Sequence, residues 1–492
     1  MHNKHFLARL LVNLQNQKVI CILIYYIRIK VIKLFSYMRK ILIIGAGKST
    51  AVLIKYLQDK SVKENIEITI GDISLESANK LANNHPSSRA IHLDIFNQQS
   101  RQEAIKDADL VISMLPATLH INVAKDCLEF NKSMVTASYV SKEMQELDAE
   151  VKAKGLTFMN EIGVDPGIDH MSAMQVIDEI REKGGKIILF ESFTGGLVAP
   201  ESDNNLWNYK FTWNPRNVVV AGQGGAAKFL QEGTYKYIPY HKLFRRTEFL
   251  EIEGYGKFEG YANRDSLKYQ SVYGLDNVLT LYRGTMRRVG FSRAWNIFVQ
   301  LGMTADDYTI ENSEHMSYRD FINSFLAYSP TDSVELKLRH YLKIDQDDIM
   351  WEKLLELDLF NPNKKVGLPN ATPAQVLQKI LTDKWSLSPE DKDMIVMYHK
   401  FGYELNGVKK QIDSTMVSIG ENQTYTAMAR TVGLPVGMAA LRILNKTITR
   451  TGVLLPIHKE IYNPILEELK EYDIVFKEKE MPYFGYNPDR LS

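Results

Sequence analysis

Short apolar runs alternate with helical segments in the first third of the chain, beginning near residue 38. The run "KILIIG" precedes the helical segment "TAVLIKYLQDK", and the runs "IEITIGD", "RAIHLDI" and "DLVISMLP" follow, with further helical segments between them. Strands that are buried on both faces have such continuous apolar runs, and their alternation with helices predicts a doubly wound parallel sheet. We therefore predict an α/β Rossmann domain over residues 38–163.

Beyond residue 163 the pattern changes twice. Residues 164–316 are rich in Thr, Tyr, Phe and Gly, which is typical of the strands and turns of an α+β domain. Residues 317–405 look helical and charged, and Thr372-Pro373 and Ser388-Pro389 each place an N-cap residue before a proline at the first helical position. We predict a helical insertion there, the remainder of the α+β domain at 406–450, and a C-terminal segment, 451–492, that returns to the Rossmann domain.

The first 37 residues contain the apolar run "VICILIYYI", which is flanked by basic residues. This run is too short to cross a bilayer, which takes about 20 residues. The basic segment "RIKVIK" follows it, where a secretory signal would have small residues at a cleavage site. We interpret residues 1–37 as an extension outside the fold and expect Met38 to be the true start, because the first predicted strand follows it directly.

Composition and charge narrow the class of protein. The chain has 492 residues, of which 45% are hydrophobic and 24% charged, as expected for a multidomain globular enzyme. Lys+Arg 60 against Asp+Glu 59 leaves no basic surplus for binding nucleic acid or an anionic membrane, so we predict neither partner. The two cysteines, Cys21 and Cys127, form no CxxC pair and no His/Cys cluster. We therefore predict no metal site and a cytoplasmic location.

The segment "ILIIGAGKST", residues 41–50, permits two nucleotide-binding interpretations. A mononucleotide P-loop requires the spacing G-x-x-x-x-G-K-[ST], because its first glycine lets the chain wrap a phosphate. The position that this glycine would occupy relative to Gly47 is Leu42, inside the predicted strand. The segment therefore favours the glycine turn of a dinucleotide-binding unit over a kinase-type loop.

The dinucleotide fingerprint G-x-G-x-x-G/A fits this turn at its first two positions, which are Gly45 and Gly47. Thr50 replaces the third glycine, and the N–H groups of Lys48 and Ser49 are expected to face a pyrophosphate at a helix N-terminus.

An acidic residue, Asp72, ends the next predicted strand, where a carboxylate binds the adenosine ribose and repels a 2′-phosphate. We therefore predict NAD as the cofactor, with NADP as the alternative. A second interpretation makes Asp72 only the N-cap of the following helix, a position for which Ser74 competes.

A set of ordered motifs carries a more specific resemblance. They are "VISMLPATLH", "VTASYVSKEMQELD", "MNEIGVDPGIDHM", "FTGGLVAPESDNN", "YKFTWNPR", "YANRDS" and "YRGTMR". Together they resemble the glutamate-forming saccharopine dehydrogenases, also called saccharopine reductases, of α-aminoadipate lysine metabolism. The resemblance covers about residues 38–290 strongly and the C-terminal part more loosely. It implies a Rossmann domain, a catalytic α+β domain that pairs subunits in a homodimer, and a helical insertion.

The resemblance also implies a reaction on a secondary amine. Saccharopine is lysine joined through its ε-nitrogen to the α-carbon of glutamate. Oxidation at that carbon with NAD(P) gives an imine, which water splits into glutamate and 2-aminoadipate 6-semialdehyde. A carboxynorspermidine-type dehydrogenase of polyamine synthesis and a noncatalytic Rossmann protein that senses redox state are the alternative hypotheses.

Site residues follow from the same resemblance. The positions that contact saccharopine in the family correspond here to Ser138, Tyr139, Asp165, Arg264 and Thr285. The positions that contact the cofactor correspond to Asp94, Leu115, Ala137 and Ser138.

The charges of saccharopine suggest roles for some of these side chains. Its carboxylates call for guanidinium clamps, for which Arg264 and Arg283 are the candidates, and its amines call for a carboxylate such as Asp165. Asp165 and Tyr139 are the predicted catalytic residues, because the substrate amine must lose a proton before hydride leaves.

Each of these side chains also has a structural interpretation. Arg264 could lie in a turn and form a local ion pair, and Asp165, which precedes Pro-Gly, could form an Asx-turn. His170 at the start of a helix is more often structural than catalytic, and Tyr139 could belong to the core.

Overall fold

The computed structural model describes residues 38–485, which form two β-sheets covered by helices. The predicted extension, residues 1–37, lies outside the described residues, as do residues 486–492 of the C-terminal segment. The strands are β1 (Arg39–Ile44), β2 (Ile66–Asp72), β3 (Ser88–His92), β4 (Leu110–Ser113), β5 (Ser133–Val135), β6 (Thr157–Met159), β7 (Lys186–Val198), β8 (Ala227–Gln231), β9 (Thr234–Ile238), β10 (Thr247–Ile252), β11 (Gly256–Ala262), β12 (Thr280–Arg288), β13 (Asp393–Leu405), β14 (Val408–Ile419), β15 (Gly452–Leu454) and β16 (Lys477–Pro482).

Helices connect and cover these strands. They are α1 (Ala51–Glu64), α2 (Leu75–Ala82), α3 (Gln98–Asp107), α4 (His120–Glu129), α5 (Lys142–Glu146), α6 (Asp148–Ala153), α7 (Ile168–Glu182), α8 (Pro215–Val219), α9 (Tyr240–Leu243), α10 (Phe291–Leu301), α11 (Tyr318–Asn323), α12 (Val334–Leu342), α13 (Ile349–Glu356), α14 (Pro373–Trp385), α15 (Ala427–Leu444) and α16 (Lys459–Lys470). Short 3-10 helices lie at Ala117–Leu119, Pro200–Ser202, Leu267–Tyr269 and Ser313–His315.

The first sheet is parallel throughout, with the strand order β15-β6-β5-β4-β1-β2-β3. Its central strand β1 buries Ile41 to Ile44 completely, which is why the sequence shows an unbroken apolar run there. The strand order reverses between β1 and β4, and ligands of doubly wound sheets bind outside the carboxyl ends of the strands at such a point. The predicted Rossmann domain is therefore confirmed in its fold class.

The second sheet is mixed, with the order β10-β11-β12-β7-β13-β14-β16 and the hairpin β8-β9 attached to β12. One face packs against α7 and shares an apolar cluster with β1, α1 and α15 of the Rossmann side. The other face packs against the helices of the insertion, through residues such as Phe193, Tyr282 and Leu377. Because the first cluster runs through both sheets, side chains of the two domains can meet at the carboxyl ends of the parallel strands.

Helix α15 lies between the two sheets and packs closely on α1. A Cβ atom at Gly433 would lie 2.7 Å from the backbone nitrogen of Leu53, and one at Gly437 would lie 2.6 Å from the ring of Tyr56. Among residues 38–485, α15 is the one helix with the length and hydropathy of a membrane span, yet 78% of it is buried inside the protein. Its apolar character is accounted for by this packing between the domains.

The helical insertion is shorter than predicted. Helices α11 to α14 end at Trp385, and residues 393–405 form β13, a central strand of the second sheet, so the predicted limit at 405 is wrong. Thr372 caps α14 with Pro373 in its first turn, as predicted. Ser388-Pro389 starts no helix, because the Asp391 carboxylate accepts the Ser388 N–H at 2.6 Å and closes a turn before β13.

The C-terminal part of the chain contributes to both sheets. Strand β14 of residues 406–450 lies in the second sheet, whereas α15 packs against the Rossmann helix α1. In the segment 451–492, β15 pairs in parallel with β6 of the first sheet, and β16 pairs with β14 of the second. The segment therefore returns to the Rossmann domain through its first strand and through α16, where Glu468 accepts the Tyr56 hydroxyl of α1 at 2.8 Å, while its last strand joins the second sheet.

Candidate active site

The glycine turn after β1 has the shape that a dinucleotide requires. Gly45 has φ of +108°, and a Cβ atom there would lie 2.7 Å from the backbone oxygen of Met114, so only glycine fits. A Cβ atom at Gly47 would meet nothing within 4 Å. The protein therefore leaves open space at Gly47, where the fingerprint expects a pyrophosphate to approach the backbone.

The start of α1 adds hydrogen-bond donors to this turn. The backbone N–H groups of Lys48 and Ser49 have no acceptor within residues 38–485. Thr50, at the third fingerprint position, is buried and donates its hydroxyl to the Gly47 carbonyl at 2.5 Å, so it packs the helix where glycine is usual. Unpaired N–H groups at a helix N-terminus bind anions, and the turn therefore fits a dinucleotide phosphate.

Asp72 ends β2 beside this turn and does not cap the next helix. Ser74 is the N-cap of α2, since its side chain accepts the Ser77 N–H, so the N-cap interpretation of Asp72 is wrong. The Asp72 carboxylate accepts the Ala46 N–H at 2.6 Å with one oxygen and the Ser74 N–H at 2.8 Å with the other. Asp72 therefore holds the glycine turn in place, whatever it contacts on a ligand.

The other predicted cofactor positions lie at the carboxyl ends of β3, β4 and β5. Asp94 follows β3 and accepts the Phe96 N–H at 2.9 Å, Leu115 follows β4, and Ala137 and Ser138 follow β5. They share the edge of the sheet at which the strand order reverses. Their contacts with a cofactor stay predictions.

A buried histidine that the sequence interpretation missed holds Ser138. The His120 ring lies between two hydroxyl groups, with Nδ1 2.8 Å from Ser113 Oγ and Nε2 2.7 Å from Ser138 Oγ. Burial lowers the pKa of His120 to about 4, so the ring is neutral at neutral pH and fixes both hydroxyls. This histidine ends the motif "VISMLPATLH", and that position is the feature of the sequence from which its role could have been suspected.

The centre of the site is a carboxylate held by two donors. The Asp165 Oδ1 atom accepts the Tyr139 hydroxyl at 3.1 Å and Arg283 Nη2 at 2.8 Å, and the same Nη2 donates to Asp169 Oδ2 at 2.5 Å. The structure thus brings the predicted catalytic residues Asp165 and Tyr139 together. The Asx-turn interpretation of Asp165 is wrong, because its carboxylate binds side chains.

The two carboxylates differ in their electrostatics. Burial, followed by the neighbouring Asp169 charge, raises the pKa of Asp165, and Arg283 opposes this increase. Burial alone would also raise the pKa of Asp169, but interactions with His170 and Arg283 outweigh it and hold this pKa below its usual range. Asp165 is therefore the carboxyl group of the pair that more readily takes up a proton.

Arg283, a predicted clamp for a substrate carboxylate, binds protein carboxylates in this structure, and its contact with a substrate stays a prediction. Its guanidinium is buried and bound to two protein carboxylates, and it stacks 4.3 Å from the centre of the Tyr269 ring. A guanidinium whose charge is already neutralised is poorly suited to clamp a substrate carboxylate. Arg283 therefore holds Asp165 in this structure.

Arg264 remains the exposed cation of the predicted set. It lies in a turn with φ of +43°, and its side chain makes no ion pair within residues 38–485. The local ion-pair interpretation is wrong, because Asp265 instead pairs with Lys228 at 3.5 Å. Arg264 is therefore available to a substrate carboxylate.

Strand β12 presents Arg283, Thr285 and a further arginine, Arg287, on one face, since alternate residues of a strand share a face. Thr285 is half-buried there, whereas Arg287 is 5% exposed and its Nε has no partner among the described residues. The Tyr209 hydroxyl is buried and equally without a partner, with its ring 5.1 Å from the Arg287 guanidinium. The sequence interpretation missed Arg287, although it lies four residues after Arg283 in "YRGTMR" and therefore on the same face of a strand.

Two family models match the chain along almost its whole described length. The saccharopine dehydrogenase NADP binding domain matches residues 41–159, and the saccharopine dehydrogenase C-terminal domain matches residues 163–475. The chain belongs to the saccharopine dehydrogenase family. The boundary between the two models falls at the end of the predicted Rossmann domain.

Individual relatives agree with this assignment. The saccharopine dehydrogenase [NADP(+), L-glutamate-forming] of Saccharomyces cerevisiae is 34% identical over 90% of this chain and 99% of the relative. The mitochondrial alpha-aminoadipic semialdehyde synthase of Mus musculus is 35% identical over 90% of this chain, which spans 48% of that longer relative. The apo structure of the yeast enzyme matches with a TM-score of 0.81 and 33% identity over 90% of this chain and 100% of its own.

These findings establish the family and the class of enzyme. The predicted family, the fold class and an NAD(P)-dependent oxidoreductase are confirmed, and a nicotinamide dinucleotide is the class of cofactor. The P-loop kinase hypothesis is wrong, because the glycine turn lies in a dinucleotide-binding domain of this family. The substrate contacts of individual residues stay predictions.

Proposed function

We propose that this chain oxidises saccharopine with NADP to give glutamate and 2-aminoadipate 6-semialdehyde, and that it also catalyses the reverse reaction. The observation that carries the proposal is the Asp165 carboxylate, held by Tyr139 and Arg283 in the segment that follows β6 of the dinucleotide-binding sheet. Relatives that match this chain over nearly their full length are named for that activity.

The proposed chemistry removes a hydride from the carbon and a proton from the nitrogen of one C–N bond. The secondary amine must first lose its extra proton, after which hydride leaves one of the two carbons bonded to this nitrogen and the nitrogen lone pair forms the C=N bond. Bound NADP supplies the acceptor of that hydride. Water then adds to the C=N carbon and that C–N bond breaks. Oxidation on the glutamate side would release lysine and leave the keto acid, whereas oxidation on the lysine side releases glutamate and leaves the semialdehyde.

Glutamate as a product therefore requires the C–H bond that breaks to be on the lysine-derived ε-carbon, and we assign hydride loss to that carbon. This corrects the prediction, made with the family resemblance, that oxidation takes place at the glutamate α-carbon. Hydrolysis of the resulting imine leaves the nitrogen on glutamate and converts the ε-carbon into the aldehyde. The products named for the relatives are then balanced.

Asp165 suits the amine of this substrate. A carboxylate accepts the hydrogen bond of an ammonium group, and its raised pKa brings it closer to a value at which it can accept a proton. Tyr139 donates to the same oxygen and orients it. Positioning of the reacting carbon against the cofactor supplies much of the rate in such reactions.

The carboxylates of saccharopine require cations that the protein has not already neutralised. Arg264 and Arg287 meet this condition, because neither makes an ion pair within the described residues. Two guanidinium groups and the carboxylate of Asp165 favour a substrate with several carboxylates over a polyamine precursor. This supports saccharopine over carboxynorspermidine.

We infer that NADP is preferred over NAD, contrary to the preference that Asp72 suggested in the sequence. The support is the name of the matched domain and of the fungal relatives. Both oxygens of Asp72 accept backbone N–H groups, and this structural role explains the acid without a contact to the ribose of NAD. A homodimer and a cytoplasmic location remain proposals that rest on the family resemblance and on composition.

Asp72→Asn is expected to weaken the binding of NADP and of NAD by a similar factor, about tenfold. The amide has only one acceptor oxygen, so it cannot accept both the Ala46 and the Ser74 N–H groups, and the glycine turn loosens for either cofactor. Steady-state kinetics with both cofactors measure the effect. A selective gain for NADP would show instead that Asp72 contacts the ribose.

The decisive experiment follows NADPH formation with the purified chain. We expect turnover with saccharopine and NADP, slower turnover with NAD, and none with carboxynorspermidine. Turnover of carboxynorspermidine in place of saccharopine would establish the rival reaction. Tight dinucleotide binding without turnover of either substrate would support a sensor.

A further inference from the structure

Glu161 lies at the centre of a buried hydrogen-bond network next to Asp165. It is 1% exposed and lies two residues after the end of β6 in the Rossmann sheet. Its Oε1 accepts the Val140 N–H at 2.9 Å, and its Oε2 accepts the Tyr269 hydroxyl at 3.0 Å and lies 2.9 Å from His170 Nε2. Glu161 thus joins three separate segments of the chain.

His170 is held from both sides in this network. Its Nδ1 lies 2.5 Å from the Tyr273 hydroxyl, so a ring with its proton on Nε2 donates to Glu161 and accepts from Tyr273. Burial alone would raise the pKa of Glu161, but the hydrogen bond from His170 and the other donors hold it below its usual range. A charged carboxylate is therefore stable in this interior position, and the structural interpretation of His170 agrees with its contacts.

Two arms lead from Glu161 to the two donors of Asp165. One arm runs through Tyr269, whose ring lies 4.3 Å from the Arg283 guanidinium. The other runs through the backbone of Val140, the neighbour of Tyr139. Arg283 and Tyr139 then donate to the same oxygen of Asp165.

The backbone at Glu161 is in a conformation that a glutamate rarely adopts. Its φ is +54°, in the left-handed region, which is unfavourable for a residue with a Cβ atom. Glycine or asparagine would fit this backbone better, but neither has a carboxylate that reaches the three donors. Such strain at a buried acid points to a requirement for the side chain itself.

We propose that Glu161 is a positioning residue, which sets the geometry of Asp165 through Tyr269 and Arg283 on one side and through Val140 and Tyr139 on the other. This inference rests on the proposed function, in which Asp165 contacts the substrate amine. Glu161 then affects the rate of the chemical step and not the binding of the cofactor.

Tyr269→Phe tests the first arm, because it removes the hydroxyl that binds Glu161 and keeps the ring over Arg283. We expect kcat to fall about tenfold while the KM for NADP stays within about twofold, since looser positioning affects the reacting geometry. The primary deuterium isotope effect on kcat, measured with saccharopine deuterated on the lysine-derived ε-carbon, should rise. Glu161→Gln should lower kcat further, by about a hundredfold, because both arms lose the charge.

Tyr462→Phe is the matched control. Its hydroxyl is also buried and donates to a carboxylate, that of Asp178 on α7, at 2.8 Å, but it lies outside the network. This variant should leave kcat and the isotope effect unchanged. Equal kcat and equal isotope effects for Tyr269→Phe and Tyr462→Phe would overturn the proposal, even if Glu161→Gln failed to fold.

Crystal structures of the same two variants separate this proposal from the proposed function. Failure of the wild-type chain to turn over saccharopine would reject the function alone. The positioning proposal would then stand or fall on Arg283: a displaced guanidinium relative to Asp165 in Tyr269→Phe, but not in Tyr462→Phe, supports it. An unmoved guanidinium in both variants would reject it.

Discussion

Arg283→Met is expected to lower kcat/KM for saccharopine more than about a thousandfold. The substitution removes the donor that binds Asp165 and Asp169 at once and leaves two buried carboxylates facing each other. Such a pair cannot stay fully ionised, so Asp165, whose pKa is already raised, takes up a proton. A protonated Asp165 can no longer accept a proton from the substrate amine. Steady-state kinetics and thermal unfolding of the purified variant measure the two consequences.

A loss of stability accompanies this loss of activity and has to be separated from it. Removing one partner of a buried ion pair costs about 3–5 kcal/mol. Arg101→Met is a matched control, because Arg101 is also buried and donates to Asp126 at 2.5 Å, within the Rossmann domain and away from Asp165. It should lower the unfolding temperature without changing kcat. Near wild-type kcat/KM in Arg283→Met would show that Asp165 needs no cation.

The elements that depend on local pattern were predictable from the sequence. Continuous apolar runs predicted the parallel strands, and the glycine turn predicted the position of a dinucleotide, because both depend on neighbouring residues. The charged character of residues 317–405 placed strand β13 in the predicted helical insertion, and its buried His399 and Lys400 interrupt an otherwise apolar run. Both polar side chains are covered by other parts of the chain, which no local pattern reports.

The roles of the site residues were likewise only partly predictable from local sequence. Asp165 was predicted from its motif, but the role of Arg283 depends on which carboxylates the fold brings to it. Glu161 and His120 escaped notice because the partners that define them, Tyr269 and Ser138, come from other elements. A buried polar side chain takes its role from the hydrogen bonds it makes, and these exist only once the chain is folded.

Gly47→Ala is expected to fold like the parent chain and to bind NADP about a hundredfold more weakly, a loss of about 2.7 kcal/mol. The added methyl group meets no protein atom within 4 Å, so the fold has no need of glycine at this position. It would instead occupy the space through which a pyrophosphate reaches the N–H groups of Lys48 and Ser49. Losing one or two hydrogen bonds to a charged group accounts for that magnitude.

Gly45→Ala provides the contrast, because at that position glycine is required by the protein itself. A methyl group there would lie 2.7 Å from the Met114 carbonyl oxygen, on a backbone with φ of +108°. Thermal unfolding should therefore show a lower midpoint for Gly45→Ala and an unchanged one for Gly47→Ala, while fluorescence titration shows weak NADP binding for both. Wild-type affinity in Gly47→Ala would mean that the pyrophosphate lies elsewhere, since the only consequence of this methyl group is to fill the space above the turn.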